Sequence, residues 1–109
     1  MEPITVTFDE ANVNWRPDPD YNRYFLEAQQ NYFNHRLQAC GFVLLDEVYQ
    51  ALGLLRTTEG CITGWALLKE ETHIDFGLRD VENWSSAKLK INHQGIVFGY
   101  IDMINRAVT

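Results

Sequence analysis

Residues 31–78 read NYFNHRLQACGFVLLDEVYQALGLLRTTEGCITGWALLKEETHIDFGL, and this stretch decides the fold. Two helical spacings end at Gly41 and Gly53. A further glycine, Gly64, stands just before Trp65, where helical spacing gives way to short apolar runs.

Upstream, the spacing predicts a helix from about Asp20 to Cys40. Asp18 or Asp20 serves as its cap, Pro19 suits its first turn and Gly41 stands just past its end. Tyr21, Phe25, Ala28, Tyr32, Leu37 and Cys40 give one apolar face, widened by Tyr24 and Phe33, and such an aromatic stripe is expected to pack in the core. After the apolar run Phe42–Leu45, the residues Leu45, Val48, Tyr49 and Leu52 continue at helical spacing to Gly53. They predict a second, short helix turned back at Gly41 as an antiparallel partner. Thr57 or Thr58 can cap one further helical turn.

Downstream, WALLK (65–69) and HIDFGL (73–78) read as strands joined by KEET. LKIN (89–92) and IVFGYI (96–101) read as a second pair joined by HQG, with Gly95 at the turn. The link RDVENWSSAK (79–88) has room for a helical turn. At the other end, ITVTF (4–8) suits an edge strand or extended arm, and the proline-containing loop that follows covers the core with Trp15. The expectation is an α+β fold with N-terminal helices packed on a C-terminal antiparallel sheet of about four strands. It is a single domain, 1–109, with an arm and loop at 1–19, a helical part at 20–53 and a sheet part at 64–104.

A chain of 109 residues that is 46% hydrophobic can bury one core. Its net charge of −6 disfavours direct nucleic-acid binding, which draws on clustered Lys and Arg. No apolar run approaches a membrane span, and MEPITVTFDE lacks the pattern of a signal peptide, so cytoplasmic residence is expected. Cys40 and Cys61 stand in apolar surroundings with no CxxC spacing. They are expected to be buried, reduced and free of metal.

The candidates for chemistry are weak. His73 and Asp75 leave the same face of a strand, where a carboxylate could orient an imidazole; a polar row opposite inward Ile74 and Phe76 accounts for them better. Asp75-Phe76-Gly77 has the letters of a kinase magnesium motif without its companions. His35 and His93 lack second ligands, and the doublets Asp46-Glu47 and Glu70-Glu71 point apart. Arg56-Thr57-Thr58-Glu59-Gly60 lacks the glycines and lysine of a phosphate loop. No catalytic residue, cofactor or metal is expected, and the chain is read as non-enzymatic.

The acidic residues carry the sharper expectation. Asp9, Glu10, Asp18 and Asp20 flank the proline loop, and Glu70, Glu71, Asp80 and Glu82 lie in the hairpin and link. Carboxylates on a rigid small domain can imitate a phosphate track, so these eight are the candidate partner-binding residues.

The pattern of residues 31–65 resembles a family of small proteins of unknown function encoded by bacteriophages and integrated mobile elements. The matching residues are Tyr32, Phe33, Asn34, Leu37, Gly41, Val43, Leu45, Glu47, Val48, Tyr49, Leu52, Gly53, Arg56, Thr57, Gly60, Gly64 and Trp65, with Ile74–Gly77 and Gln94–Ile96 further on. The chain departs from it at Ile91-Asn92-His93, where members carry more acids before the glycine. The resemblance implies an origin and no reaction; Glu47 and Arg56 read as a structural ion pair.

Together these features lead to an accessory protein that acts by binding a basic, nucleic-acid-handling protein, such as a host defence nuclease, in the manner of an anti-CRISPR inhibitor. It would be a monomer or homodimer. The alternative is a virion assembly component that self-associates through the aromatic helix and an exposed strand edge. A hydrolase using His73 and Asp75 ranks last.

Overall fold

β1 (Ile4–Phe8) pairs antiparallel with β4 (Ala87–Ile91), with Ile4 opposite Ile91, Val6 opposite Leu89 and Phe8 opposite Ala87. Because side chains alternate along a strand, these six face the core while Thr5, Thr7, Lys88 and Lys90 face outward. The computed structural model describes residues 3–94 together with Ile96 and Val97.

Helix α1 (Pro19–Cys40) starts where Asp18 accepts from the amides of Asp20 and Tyr21 and ends at Gly41, whose φ of 85° is the left-handed region that glycine tolerates. Its buried face matches the expected one in part: Phe33 and Leu37 lie in the core and Phe25 packs against it, as expected. Asn22, Leu26, Phe33 and Leu37 are buried, whereas Tyr21, Tyr24, Tyr32 and Cys40 are exposed. The interior stripe is aliphatic with one Phe, and the tyrosine hydroxyls stay in water.

A strand, β2 (Phe42–Leu44), lies between α1 and α2 (Leu45–Leu52), and α2 ends at Gly53 as expected. The run 42–44 is drawn into a sheet by pairing with β3 (Thr63–Ala66), Val43 opposite Trp65, and β3 pairs in turn with β5 (Ile96–Val97). At Gly64 a Cβ would collide with the Val43 carbonyl, so glycine is required by the close approach of β2. Before α2, the Leu44 amide donates to Glu47 at 2.9 Å. After it, a single helical turn at Glu59–Cys61 is fastened by the Gly60 amide donating to Thr57 Oγ1, as the cap reading expected, and by the Thr57 amide donating to Asp46.

The five described strands therefore form two small antiparallel sheets, β1-β4 and β2-β3-β5, in place of one sheet of about four strands. Among the described residues neither expected hairpin is found. β4 and β5 lie in different sheets, and the predicted turn glycine, Gly95, and residues 98–101 lie outside the described residues. Residues 73–76 form no strand, although the Phe76 and Asp75 carbonyls accept from the Lys90 and Asn92 amides. The Asn34 carboxamide accepts from the Ile74 amide at 2.7 Å and donates to the Ile74 carbonyl at 2.9 Å. Gln30 accepts from the Phe76 amide, and Asn92 accepts from the Asp75 amide while donating to the His73 carbonyl. Backbone groups that would otherwise be buried unpaired are thus satisfied by side chains.

The core joins both sheets and both helices around Trp65, Phe8, Phe76, Leu26, Leu37 and Leu52. Trp65 is fully buried and its indole N–H donates to the Asn92 carbonyl at 2.7 Å. Trp15 covers the core edge as expected, its indole bonded to the Ser85 carbonyl. Cys40 and Cys61 are exposed, contrary to the buried role expected of them: one ends α1 on its wet side, the other sits in the helical turn before β3.

Candidate functional site

The placement of Asn34 and Gln30 against residues 74–76 turns the next face of α1 into one wall of a groove. The segment 73–84 forms the other wall, and the groove holds about 560 Å³. Ile74, Leu78 and Val81 lie in it among polar groups, with Arg23 and Glu27 on the helix side and His73, Asp75 and Arg79 opposite. Arg23 bonds Glu27 at 2.9 Å and lies over the ring of Trp84, 5.9 Å from its centroid. The hydrogen bond and charge of Glu27 hold the guanidinium above its ordinary pKa. The groove thus offers an aromatic ring, two arginines and an imidazole beside two carboxylates. Tyr, Trp and Arg are the residue types that protein interfaces enrich.

His73 and Asp75 do share this face, with Ile74 and Phe76 fully buried behind them. They are not oriented by each other. His73 Nδ1 lies 3.0 Å from the Glu71 carbonyl, which only accepts, so the ring proton sits on Nδ1. Asp75 accepts from the Gly77 amide at 2.7 Å and lies 3.7 Å from Arg79. The Asp75-Phe76-Gly77 triplet is accounted for by this turn, in which Gly77 takes a φ of 72° against the Lys90 backbone.

Beside the groove, sharing Glu27 and Asn31 with it, the outward side of α1 carries a shallow hollow over Ala28 between Tyr24 and Tyr32, closed by His35. Tyr24 is 72% and Tyr32 52% exposed. The aromatic spacing was visible in the sequence; which tyrosines face water was not.

The eight acidic candidates fall in several places. Asp18 is the α1 cap and Asp20 lies exposed in the first turn. Asp9 holds the turn amide of Ala11 and borders a groove with Val6, Tyr49, Leu54 and Leu55, while Glu10 is exposed beside it. Glu70 and Glu71 are exposed at the turn 69–72. Asp80 and Glu82 are brought together in a hollow that also contains Lys88 and Lys90. Glu47 pairs with Arg36 of α1 at 2.7 Å rather than with Arg56, which is exposed; this bond raises the Arg36 pKa against the opposing effect of its partial burial. Asp46 and Glu47 point apart as expected, one to the Thr57 amide and the other to Arg36.

Among the described residues no cluster of three or more His, Cys, Asp or Glu could hold a metal ion, and no helix is long and apolar enough to cross a membrane.

No curated protein and no solved structure matches the chain. A family model does match it, over residues 3–102, and its members have no assigned function. With nearly the whole length matched, from β1 past β5, the chain belongs to the family of unknown function DUF6353.

Proposed function

We propose that this protein acts by binding another protein, as an accessory factor of a phage or mobile element in the host cytoplasm. The observation that carries the reading is the continuous surface of α1 and residues 73–84, where Arg23, Arg79, Trp84, Tyr24 and Tyr32 stand together unburied. Such side chains give large contact area at low entropic cost, and they anchor interfaces. The net charge of −6, with Asp9, Glu10, Asp18, Asp20, Glu70, Glu71, Asp80 and Glu82 at exposed or partly exposed positions, favours a basic partner. A nucleic-acid-handling enzyme whose groove normally holds phosphate, such as a host defence nuclease, fits that chemistry, and the effect would be inhibition.

The test is affinity capture from a phage-susceptible host lysate at low and then high salt. A basic nucleic-acid-handling protein retained at low salt and released at high salt is expected. Retention of nothing at low salt would count against the reading.

A second reading, a virion assembly component, is favoured by the outer edge of β1. The Lys90 amide turns away from β1 to donate to Phe76, so Thr5, opposite Lys90, presents its backbone groups outward, where no described strand pairs with them. Self-association through this edge would appear as oligomers that grow with concentration.

A further inference from the structure

We infer that the free edge of β1 and the hollow beside it dock an extended segment of a different protein, which adds a strand to the β1-β4 sheet and brings an apolar side chain with a basic one near it. This rests on the proposal of a basic protein partner, and it gives that partner a point of attachment apart from the α1 groove.

The main chain selects an extended backbone. Lys90 donates to the Phe76 carbonyl, so it turns away from β1 and exchanges no ladder bond with Thr5. Thr7, opposite Lys88 and two residues further on, has the same orientation. The N–H and C=O groups of Thr5 and Thr7 therefore point out of the sheet. Both residues are exposed, and among the described residues nothing bonds to these four groups. Two donors and two acceptors along about 7 Å of edge are what a neighbouring strand satisfies. Within β1 no charge or proline blunts the edge.

Shape and charge narrow the occupant. The hollow holds about 430 Å³ and is lined by Val6 and Thr7 of β1, by Tyr49 of α2, and by Leu54 and Leu55 just after it. Leu55 is 91% exposed. Asn12 donates to the Leu52 carbonyl at 2.7 Å and accepts from the Asn14 amide at 2.8 Å, which fixes the loop after β1 to the end of α2 and forms the hollow in advance. A strand laid along Thr5 and Thr7 turns alternate side chains to the face that Val6 occupies, where the hollow receives an apolar one. Asp9 is the one charged residue lining it among the described residues, and Glu10 is exposed beside it; the neighbouring Arg56 does not line it. A lysine or arginine near the end of the added strand is the complement. A second copy of β1 fits worse, because its own Ile4, Val6 and Phe8 already pack in its core and none is free to enter the hollow.

Selection from a displayed random-peptide library on the full chain tests this, followed by fluorescence anisotropy of the enriched peptide. Enriched sequences are expected to alternate apolar with polar residues and to carry Lys or Arg. Affinity should fall at least tenfold in Leu55→Asp, a change at an exposed position, and in Thr7→Pro, which removes an outward N–H that the β4 ladder does not use. N-methylation of alternate peptide amides should abolish binding, and Tyr24→Ser should leave it unchanged. Failure to enrich such a peptide overturns the inference, as does a peptide that Leu55→Asp binds equally or that tolerates N-methylation at every position. Oligomers of the wild type that Thr7→Pro abolishes and Leu55→Asp does not would give the edge to a second copy and overturn it too. The selection needs no host protein, so a peptide bound at this edge while a host lysate yields nothing would refute the host partner and support the docking site.

Discussion

Replacing Asn34 with Ala should weaken the fold far more than its place on a half-exposed helix flank suggests. In the native protein its carboxamide makes two bonds to one residue, accepting from the Ile74 amide at 2.7 Å and donating to the Ile74 carbonyl at 2.9 Å. Ile74 is fully buried, so truncation leaves a peptide donor and acceptor with no replacement from the protein. Each unsatisfied buried group costs about 1–3 kcal/mol. Some water entry from the adjoining groove would offset part of that, which gives about 2–4 kcal/mol for the pair. Alanine also gains helix propensity over asparagine by a fraction of a kcal/mol. Asn31→Ala is the control, because it makes the same change three residues earlier on the exposed part of α1. Urea unfolding of both variants, compared at unchanged m-value, isolates the tertiary bonds. If the two variants differ by less than about 0.5 kcal/mol, side-chain bonding of residues 73–77 is not what holds that segment.

Three further outcomes follow from the packing. Gly64→Ala should cost several kcal/mol and yield little folded protein, because its Cβ would collide with the Val43 carbonyl in the paired strand; a variant as stable as the wild type would mean that β2 and β3 do not approach as described. Both thiols should react with a thiol reagent in the native protein at rates near those of the unfolded chain, as Cys40 and Cys61 are exposed; protection of either one would return it to the interior. Arg36 has its pKa raised by Glu47, so its contribution is fully present below the unfolded value and is lost only as pH rises through the higher folded value, far into alkali. The stability difference between wild type and Arg36→Met should therefore be constant from about pH 7 to pH 10, and a difference that fades over that window would contradict the pairing.

The local signals in the chain were legible because they are short-range. Asp18, Pro19 and Gly41 bound α1 as their chemistry requires, Gly53 ends α2, and Thr57 fastens the turn before β3. What was not legible depends on distant partners. The run Phe42–Leu44 becomes a strand only because Thr63–Ala66 lies beside it, and residues 73–76 are held by carboxamides of α1 and of Asn92 together with the Lys90 and Asn92 amides. Asn22, Asn34, Gln30 and Asn92 looked like polar positions, yet they connect the fold, and hydropathy spacing carries no trace of a polar residue that is buried because it is satisfied. The same limit applies to the site. The apolar stripe of α1 was evident, but only its Phe33 and Leu37, with Leu26, fill the interior, and its tyrosines face outward. Glu47 was correctly read as structural, with its partner on α1 instead of in the loop.

The account's central claim is that the chain works by capturing a basic protein through its carboxylates and the α1 groove. The most direct measurement is side-by-side capture from one host lysate at low salt, using the wild type and a variant with Glu70→Gln, Glu71→Gln, Asp80→Asn and Glu82→Gln. All four positions are exposed, so the fold should be unaffected. The account predicts that the wild type retains a basic nucleic-acid-handling protein and that the variant, four charges less acidic, retains at least tenfold less of it. Equal retention by both, or none by the wild type, would contradict it.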